Sequence, residues 1–187
     1  MIKITDDFLT QLEYNRMLNT FLFEEFPWQY NEYKVSGDES LENFQFCHGL
    51  MDISSHEGDM KHYQSNYFEH ILPILTRLKY LGLHRIKANM QPLFKESYKS
   101  DYHYDYNEVD GGGPCPHMTT GIYYLNSCNG YTEFETGEKV ECVANRWITF
   151  PANILHRGVS QTDMRVKLVI NFNFFEPHLN NIGENIK

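Results

Sequence analysis

Three side chains of this 187-residue chain have the types and spacing for metal chemistry: His103, Asp105 and His156. His103 and Asp105 are two positions apart. On an extended segment they share a face, because strand side chains alternate with period two. None of the other eight histidines has an acidic residue two positions on. His156 ends the run Ile148-Thr149-Phe150-Pro151-Ala152-Asn153-Ile154-Leu155-His156, in which an apolar strand and a proline-containing turn can return a third ligand from a neighbouring strand. Two imidazoles and one carboxylate can take one face of an octahedral ion and leave the opposite face open. That arrangement suits non-haem iron(II). His117, after Pro114-Cys115-Pro116, is the one rival ligand, and it reads as a loop residue. The remaining histidines read as ordinary side chains.

The elements that must position this group are mostly strands. Short, alternating, aromatic-rich runs bounded by turn residues are predicted at 84–93, 101–106, 119–126, 131–135, 139–144, 147–150, 155–159 and 165–175. Eight such strands predict a double-stranded β-helix, a jelly roll. Ahead of them, residues 5–22 predict a helix capped by Thr5 or Asp6, and 28–35 and 43–50 predict edge strands around a turn at 37–40. A second helix is predicted over 61–81 from Phe68, Ile71, Leu72, Leu75 and Leu78. Pro73 should kink or restart it, and Gly82 suits its left-handed closing position. The expected organisation is one domain over 1–187. Residues 1–82 form a helical and edge-strand support, 83–176 the jelly-roll core, and 177–187 a tail.

Composition narrows the function. Sixteen basic against 25 acidic residues give a net charge of −9, with no basic block. A partner bound through a nucleic-acid backbone needs clustered Lys and Arg, so no nucleic-acid partner is expected. No stretch approaches the roughly 20 apolar residues of a membrane span. The opening residues lack the basic start and apolar run of a signal peptide. Cys47, Cys115, Cys128 and Cys142 are widely spread with no Cys-x-x-Cys pair, which argues against a zinc knuckle. Reduced thiols in a cytoplasm are expected, the host cytoplasm if the chain is virus-encoded.

In order and spacing, His103-Tyr104-Asp105, His156 and Arg165 resemble the iron(II)/2-oxoglutarate-dependent dioxygenases, in the prolyl-4-hydroxylase-like branch. Within it the wording is most similar to small forms carried by bacteriophages of marine cyanobacteria. The resemblance covers about residues 84–175. It implies His103, Asp105 and His156 as ligands of Fe(II), with 2-oxoglutarate and dioxygen as cosubstrates and ascorbate as a candidate further cofactor. It places Arg165, nine residues after His156, on the distal carboxylate of 2-oxoglutarate, where a guanidinium can donate two parallel hydrogen bonds. Lys167, two residues on, is the reserve, and Arg157 should face the other way. Tyr124, in Ile122-Tyr123-Tyr124-Leu125-Asn126, is implied as a second contact to that carboxylate. Asn129-Gly130-Tyr131-Thr132-Glu133-Phe134 stands where the family has Gly-Gly-x-Thr-x-Phe.

The implied activity is hydroxylation of a peptide or protein side chain such as proline, or of a free amino acid or other small molecule. Halogenases of the superfamily lack the carboxylate that Asp105 supplies. The nucleic-acid demethylase branch is a weaker fit: its second arginine falls on Asn171. A jelly-roll module that binds without turnover is the alternative from another class. The glycine-rich stretch 106–119 is expected either to be a plain surface connection or to form a lid over the open metal face, with Glu108, Asp110 and His117 selecting substrate.

Overall fold

The fold is described here from a computed structural model, which covers residues 1–35, 37, 39–56, 59–105, 115 and 117–177. The chain opens on a short strand, β1 (Lys3–Thr5), not on a helix. Asp6 then chelates the Arg146 guanidinium at 2.6 and 3.0 Å, and Asp7 turns into the left-handed region at φ 49°. Both events move the helix start to α1 (Gln11–Leu18), which a single π-type turn extends over Asn19–Phe23. Its cap is Thr10. The Thr10 hydroxyl accepts from the Glu13 N–H, and the Glu13 carboxylate accepts from the Thr10 N–H at 2.9 Å, closing a capping box.

Strands β2 (Gln29–Asn31), β3 (Gln45–His56) and β4 (Asp59–Gln64) follow. The predicted helix over 61–81 is therefore shorter than expected. Residues 59–64 pair antiparallel with β3, whose free edge satisfies their backbone groups. Helical structure is confined to a 3₁₀ turn at Phe68–Ile71 and α2 (Leu72–Leu75). Pro73 sits in the first turn of α2, where its missing N–H leaves no bond unmade, so the helix does restart there. Gly82 closes no helix. It opens β5 (Gly82–Pro92) opposite Phe175 and is not among the positive-φ residues.

The rest is β: β6 (Thr119–Tyr124), β7 (Tyr131–Phe134), β8 (Lys139–Glu141), β9 (Arg146–Pro151), β10 (His156–Val159) and β11 (Val166–Phe175). Within the described part of the expected strand over 101–106, residues 101–105, there is one bridge, His103 against His156. Among the described residues, eight strands form a large sheet in the order β1-β9-β6-β11-β5-β3-β2, with β4 on β3. The smaller sheet is β10-β7-β8. This is an antiparallel jelly-roll core. The N-terminal part joins it directly, since β1 pairs with β9 and β3 pairs with β5.

Alternation gives the large sheet two different faces. Ile86, Ala88, Leu168, Ile170, Phe172 and Phe174 point to one side and pack with Met17, Phe21, Ile71, Ile74 and Leu75 of the helices. Each fully buried side chain of this size contributes about 1.5–3 kcal/mol. On the other side, Ile122, Tyr124, Ile148 and Phe150 meet Phe134 and Val140 of the small sheet. The helices thus cover one face and the small sheet covers part of the other. No helix among the described residues is long and apolar enough to cross a membrane.

One close approach lies between neighbouring strands of the large sheet, β6 and β9. A Cβ added at Gly121 would lie 2.6 Å from Trp147 Cζ2. The indole cannot retreat, being held between Phe172 at 5.1 Å and Phe8 at 5.4 Å. Gly121→Ala is expected to destabilise the protein by about 1–3 kcal/mol, read as a lower denaturation midpoint in urea with an unchanged m-value.

Candidate metal centre

The backbone brings the three candidate ligands together. His103 N–H donates to His156 O at 2.9 Å and His156 N–H donates to His103 O at 3.2 Å, so the two residues sit as a reciprocal antiparallel pair. Their rings lie 4.9 Å apart, and one ligand atom each from His103, Asp105 and His156 falls within 4.8 Å of the others. Phe150 and Phe134 hold the His156 ring at 4.8 and 6.2 Å.

Each imidazole is oriented by a carbonyl. His103 Nδ1 lies 3.1 Å from Asp101 O and His156 Nδ1 lies 3.2 Å from Ile154 O. A carbonyl only accepts, so Nδ1 carries the proton in both rings and Nε2 keeps its lone pair. His156 Nε2 is 3.7 Å from Asp105 Oδ1, with both side chains almost fully buried. Asp105 Oδ2 is buried without any hydrogen-bond partner. An orphaned carboxylate oxygen beside two bare imidazole nitrogens is a donor set that a divalent cation completes.

Electrostatics agree with that reading. Burial opposes ionisation of Asp105, but His156, with Arg85 and His103, outweighs it and holds the carboxyl well below the ordinary range. Burial pushes the His103 imidazole down, and His156 adds to this. His156 also suffers from burial, yet the Asp105 carboxylate prevails and raises it.

The group opens on a cavity of about 670 Å³ between the sheets, a volume suited to small ligands. Lys167 lines it and Arg165 does not. Arg165 is exposed and precedes β11, with its carbonyl accepting from the Leu93 N–H at 2.9 Å. The two residues have the same parity, but only Lys167 lies on the strand proper, so only its direction is fixed. Lys167 is 5% exposed and donates to Val159 O at 2.9 Å and Tyr131 O at 3.0 Å. Burial pushes its ammonium below the ordinary lysine range.

Tyr124 is fully buried on the inward face, as parity requires, but it is not part of the cavity wall. Its hydroxyl shares a 2.7 Å hydrogen bond with the Thr132 hydroxyl, and Thr132 is the residue that lines the cavity. Tyr123 faces the helical side and donates to Asn145 Oδ1 at 2.8 Å. Arg157 points away from the cavity, paired with Glu133 at 2.6 Å and stacked on Tyr102. His117 is exposed beside Phe175 and Glu176, apart from the metal-binding group. Residues 106–114 and 116, the bulk of the expected lid, lie outside the described residues.

Several cavity residues were not singled out in the sequence. Arg85, Lys87, Asn89 and Gln91 project from β5, Gln45 from β3, and Lys34 from the segment after β2. The signal existed in residues 84–93, where polar side chains at odd positions alternate with Ile86, Ala88 and Met90.

No protein-family model matches the chain, and no relative was found among curated proteins. Solved structures do resemble it. The viral collagen prolyl hydroxylase of Paramecium bursaria Chlorella virus-1 is 16% identical, covering 94% of this chain and 96% of that one at a TM-score of 0.59. A prolyl hydroxylase from Trichoplax adhaerens, solved with a hypoxia-inducible-factor peptide, is 15% identical over 94% and 83% at 0.60. The non-haem alpha-ketoglutarate-dependent epimerase SnoN of nogalamycin biosynthesis is 11% identical over 94% and 76% at 0.59. At these identities the likeness is one of fold.

Replacing His103, Asp105 or His156 singly by Ala is expected to weaken Mn(II) binding by at least about tenfold while the thermal transition is retained. Titration calorimetry reads this directly. Because the metal needs unprotonated imidazoles and Asp105 raises the pKa of His156, Mn(II) affinity should begin to fall above the ordinary histidine range as pH is lowered. An affinity independent of pH, or unchanged in all three variants, removes these residues from the centre.

Proposed function

We propose that this chain is an iron(II)- and 2-oxoglutarate-dependent dioxygenase that hydroxylates a peptide side chain or a free amino acid. The observation that carries the reading is the His103–Asp105–His156 group, with His156 buried and Asp105 Oδ2 buried and unpartnered, on a cavity that is also lined by the buried cation Lys167. The fold shared with prolyl hydroxylases and with a ketoglutarate-dependent epimerase supports the same class. Cyanophage kinship and a host-cytoplasmic location belong to this proposal through the sequence wording alone.

The three side chains would hold iron(II) through His103 Nε2, His156 Nε2 and the Asp105 carboxylate. When bound, iron(II) with 2-oxoglutarate and dioxygen supplies the oxidation of a substrate C–H bond to an alcohol, with succinate and carbon dioxide as co-products.

The chain's own part is positioning. His156 pairs with Phe134 and Val159 pairs with Tyr131, so the metal group and Lys167 lie toward opposite ends of the β7–β10 pair. A dicarboxylate laid along that pair would meet the metal ligands at one end and the ammonium at the other. Lys167 has three N–H donors and gives two to carbonyls, which leaves one for the distal carboxylate. Binding that carboxylate supplies the counter-charge the buried ammonium lacks. Thr132 adds a hydroxyl whose orientation Tyr124 sets from behind. Ile122, Leu155 and Val169 complete the wall and keep water from the reacting centre.

Lys167→Met should weaken 2-oxoglutarate by about 2–4 kcal/mol, a factor of tens to hundreds, and leave Mn(II) binding in place. Arg165→Ala should leave both nearly unchanged. Succinate release on addition of Fe(II) and 2-oxoglutarate tests the activity itself. If the two substitutions have the reverse effects, the anchor is Arg165, and if neither matters, the cosubstrate does not occupy this cavity.

A further inference from the structure

The cavity holds more positive charge than 2-oxoglutarate uses. Besides Lys167, β5 presents Arg85 and Lys87 to it, and the sole carboxylate among the described lining residues is Asp105. Neither Arg85 nor Lys87 has a side-chain hydrogen bond or ion pair with a described residue. The two ends of the floor are well separated. Lys167 pairs in register with Gln91, and Asn171 pairs with Lys87, four residues further along the strands. Four residues of strand span about 13–14 Å. A five-carbon diacid anchored on Lys167 and the metal ligands cannot also reach Arg85 and Lys87.

Unpartnered acceptors lie at and beside the Lys87 end. Asn171 is opposite Lys87, and Asn89 is two residues along β5 toward Gln91. Asn89 Oδ1 and Asn171 Oδ1 are buried with no hydrogen-bond partner, and both residues line the cavity. Buried amide oxygens left unmade are costly, and a bound donor satisfies them. Cations at one end and bare acceptors beside them fit a small molecule that carries both a carboxylate and an N–H donor.

We infer that the primary substrate is a small free carboxylate of the amino-acid class. Its carboxylate is held by Arg85 and Lys87 and its ammonium by Asn89 and Asn171, on the far side of the metal group from Lys167. This rests on the dioxygenase reading and narrows it away from a peptide, whose internal residues have neither terminus free. The cavity volume of about 670 Å³ suits two small ligands side by side.

The test uses the full chain loaded with Mn(II), whose paramagnetism broadens the NMR lines of ligands bound beside it. With 2-oxoglutarate present, mixtures of the free protein amino acids and of their carboxamides are compared, with a proline-rich peptide as a third arm. At least one free acid should broaden while its carboxamide does not. Arg85→Gln and Lys87→Gln should each weaken that acid by more than about tenfold, with Mn(II) and 2-oxoglutarate affinities kept within about twofold. The proposal is overturned if the carboxamide broadens equally, if only the peptide does, if no acid does, or if the variants bind the acid like the parent. Loss of Mn(II) in either variant also overturns it, by making these cations part of the metal site. Failure of the unaltered protein to bind Mn(II) or 2-oxoglutarate would overturn the dioxygenase reading itself, a separate outcome read in the same titrations.

Discussion

Two backbone hydrogen bonds between His103 and His156 hold the candidate site together. They join an otherwise irregular segment to the first residue of β10, and through it to the small sheet. Without that pairing His103 and Asp105 would have no fixed relation to His156, which lies far away in sequence. The bonds also set direction. With its main chain fixed, each histidine turns Nδ1 toward a carbonyl two residues back, and His156 turns Nε2 toward Asp105. The site is thus oriented mostly by main-chain groups, which substitution of neighbouring side chains leaves in place.

The second constraint is the alternation of β5 and β11. One set of positions must be apolar to pack against the helices, which frees the other set to be polar. In most antiparallel sheets such a polar face meets water. Here the small sheet and the His103 segment cover part of it, so the polar side chains become the lining of a cavity. Asn89 Oδ1, Asn171 Oδ1 and Asp105 Oδ2, on residues that line it, are left without hydrogen-bond partners.

Much of this was legible in the sequence, for identifiable reasons. The His-x-Asp spacing and the apolar run ending at His156 pointed to the three residues that the structure brings together, although His103 and Asp105 lie on an irregular segment rather than the expected strand. The jelly-roll strands were readable because their alternation is strong. Arg165 and Lys167 could not be separated, since they share parity and the start of β11 at Val166 is set by tertiary pairing. The helix over 61–81 was overextended because its apolar spacing is real only from Phe68 onward, while the free edge of β3 captures 59–64 as a strand. β1 was missed because three exposed residues carry no periodic signal, and β9 supplies their partners. Arg85 and Lys87 alternate visibly with Ile86 and Ala88. Their face, however, was indistinguishable from a solvated one until the covering sheet was in view.

The charge balance links these features. The chain as a whole is acidic, at −9, yet the cavity gathers Lys34, Arg85, Lys87 and Lys167 around a single carboxylate among the described lining residues. Withdrawing these cations from water opposes folding, and burial is the main cause that depresses the ammonium groups of Lys87 and Lys167. Such a cost is tolerable where anions later offset it. A ligand bound only by the folded state adds stability in proportion to the logarithm of one plus its concentration over Kd, about 2.7 kcal/mol at one hundred times Kd. The interior therefore calls for anions, and its two separated cationic ends call for two of them. In the function proposed above, one dicarboxylate meets Lys167 and the metal ligands, and the second charge arrives on the molecule to be oxidised, which would tie substrate choice to the electrostatics of the cavity.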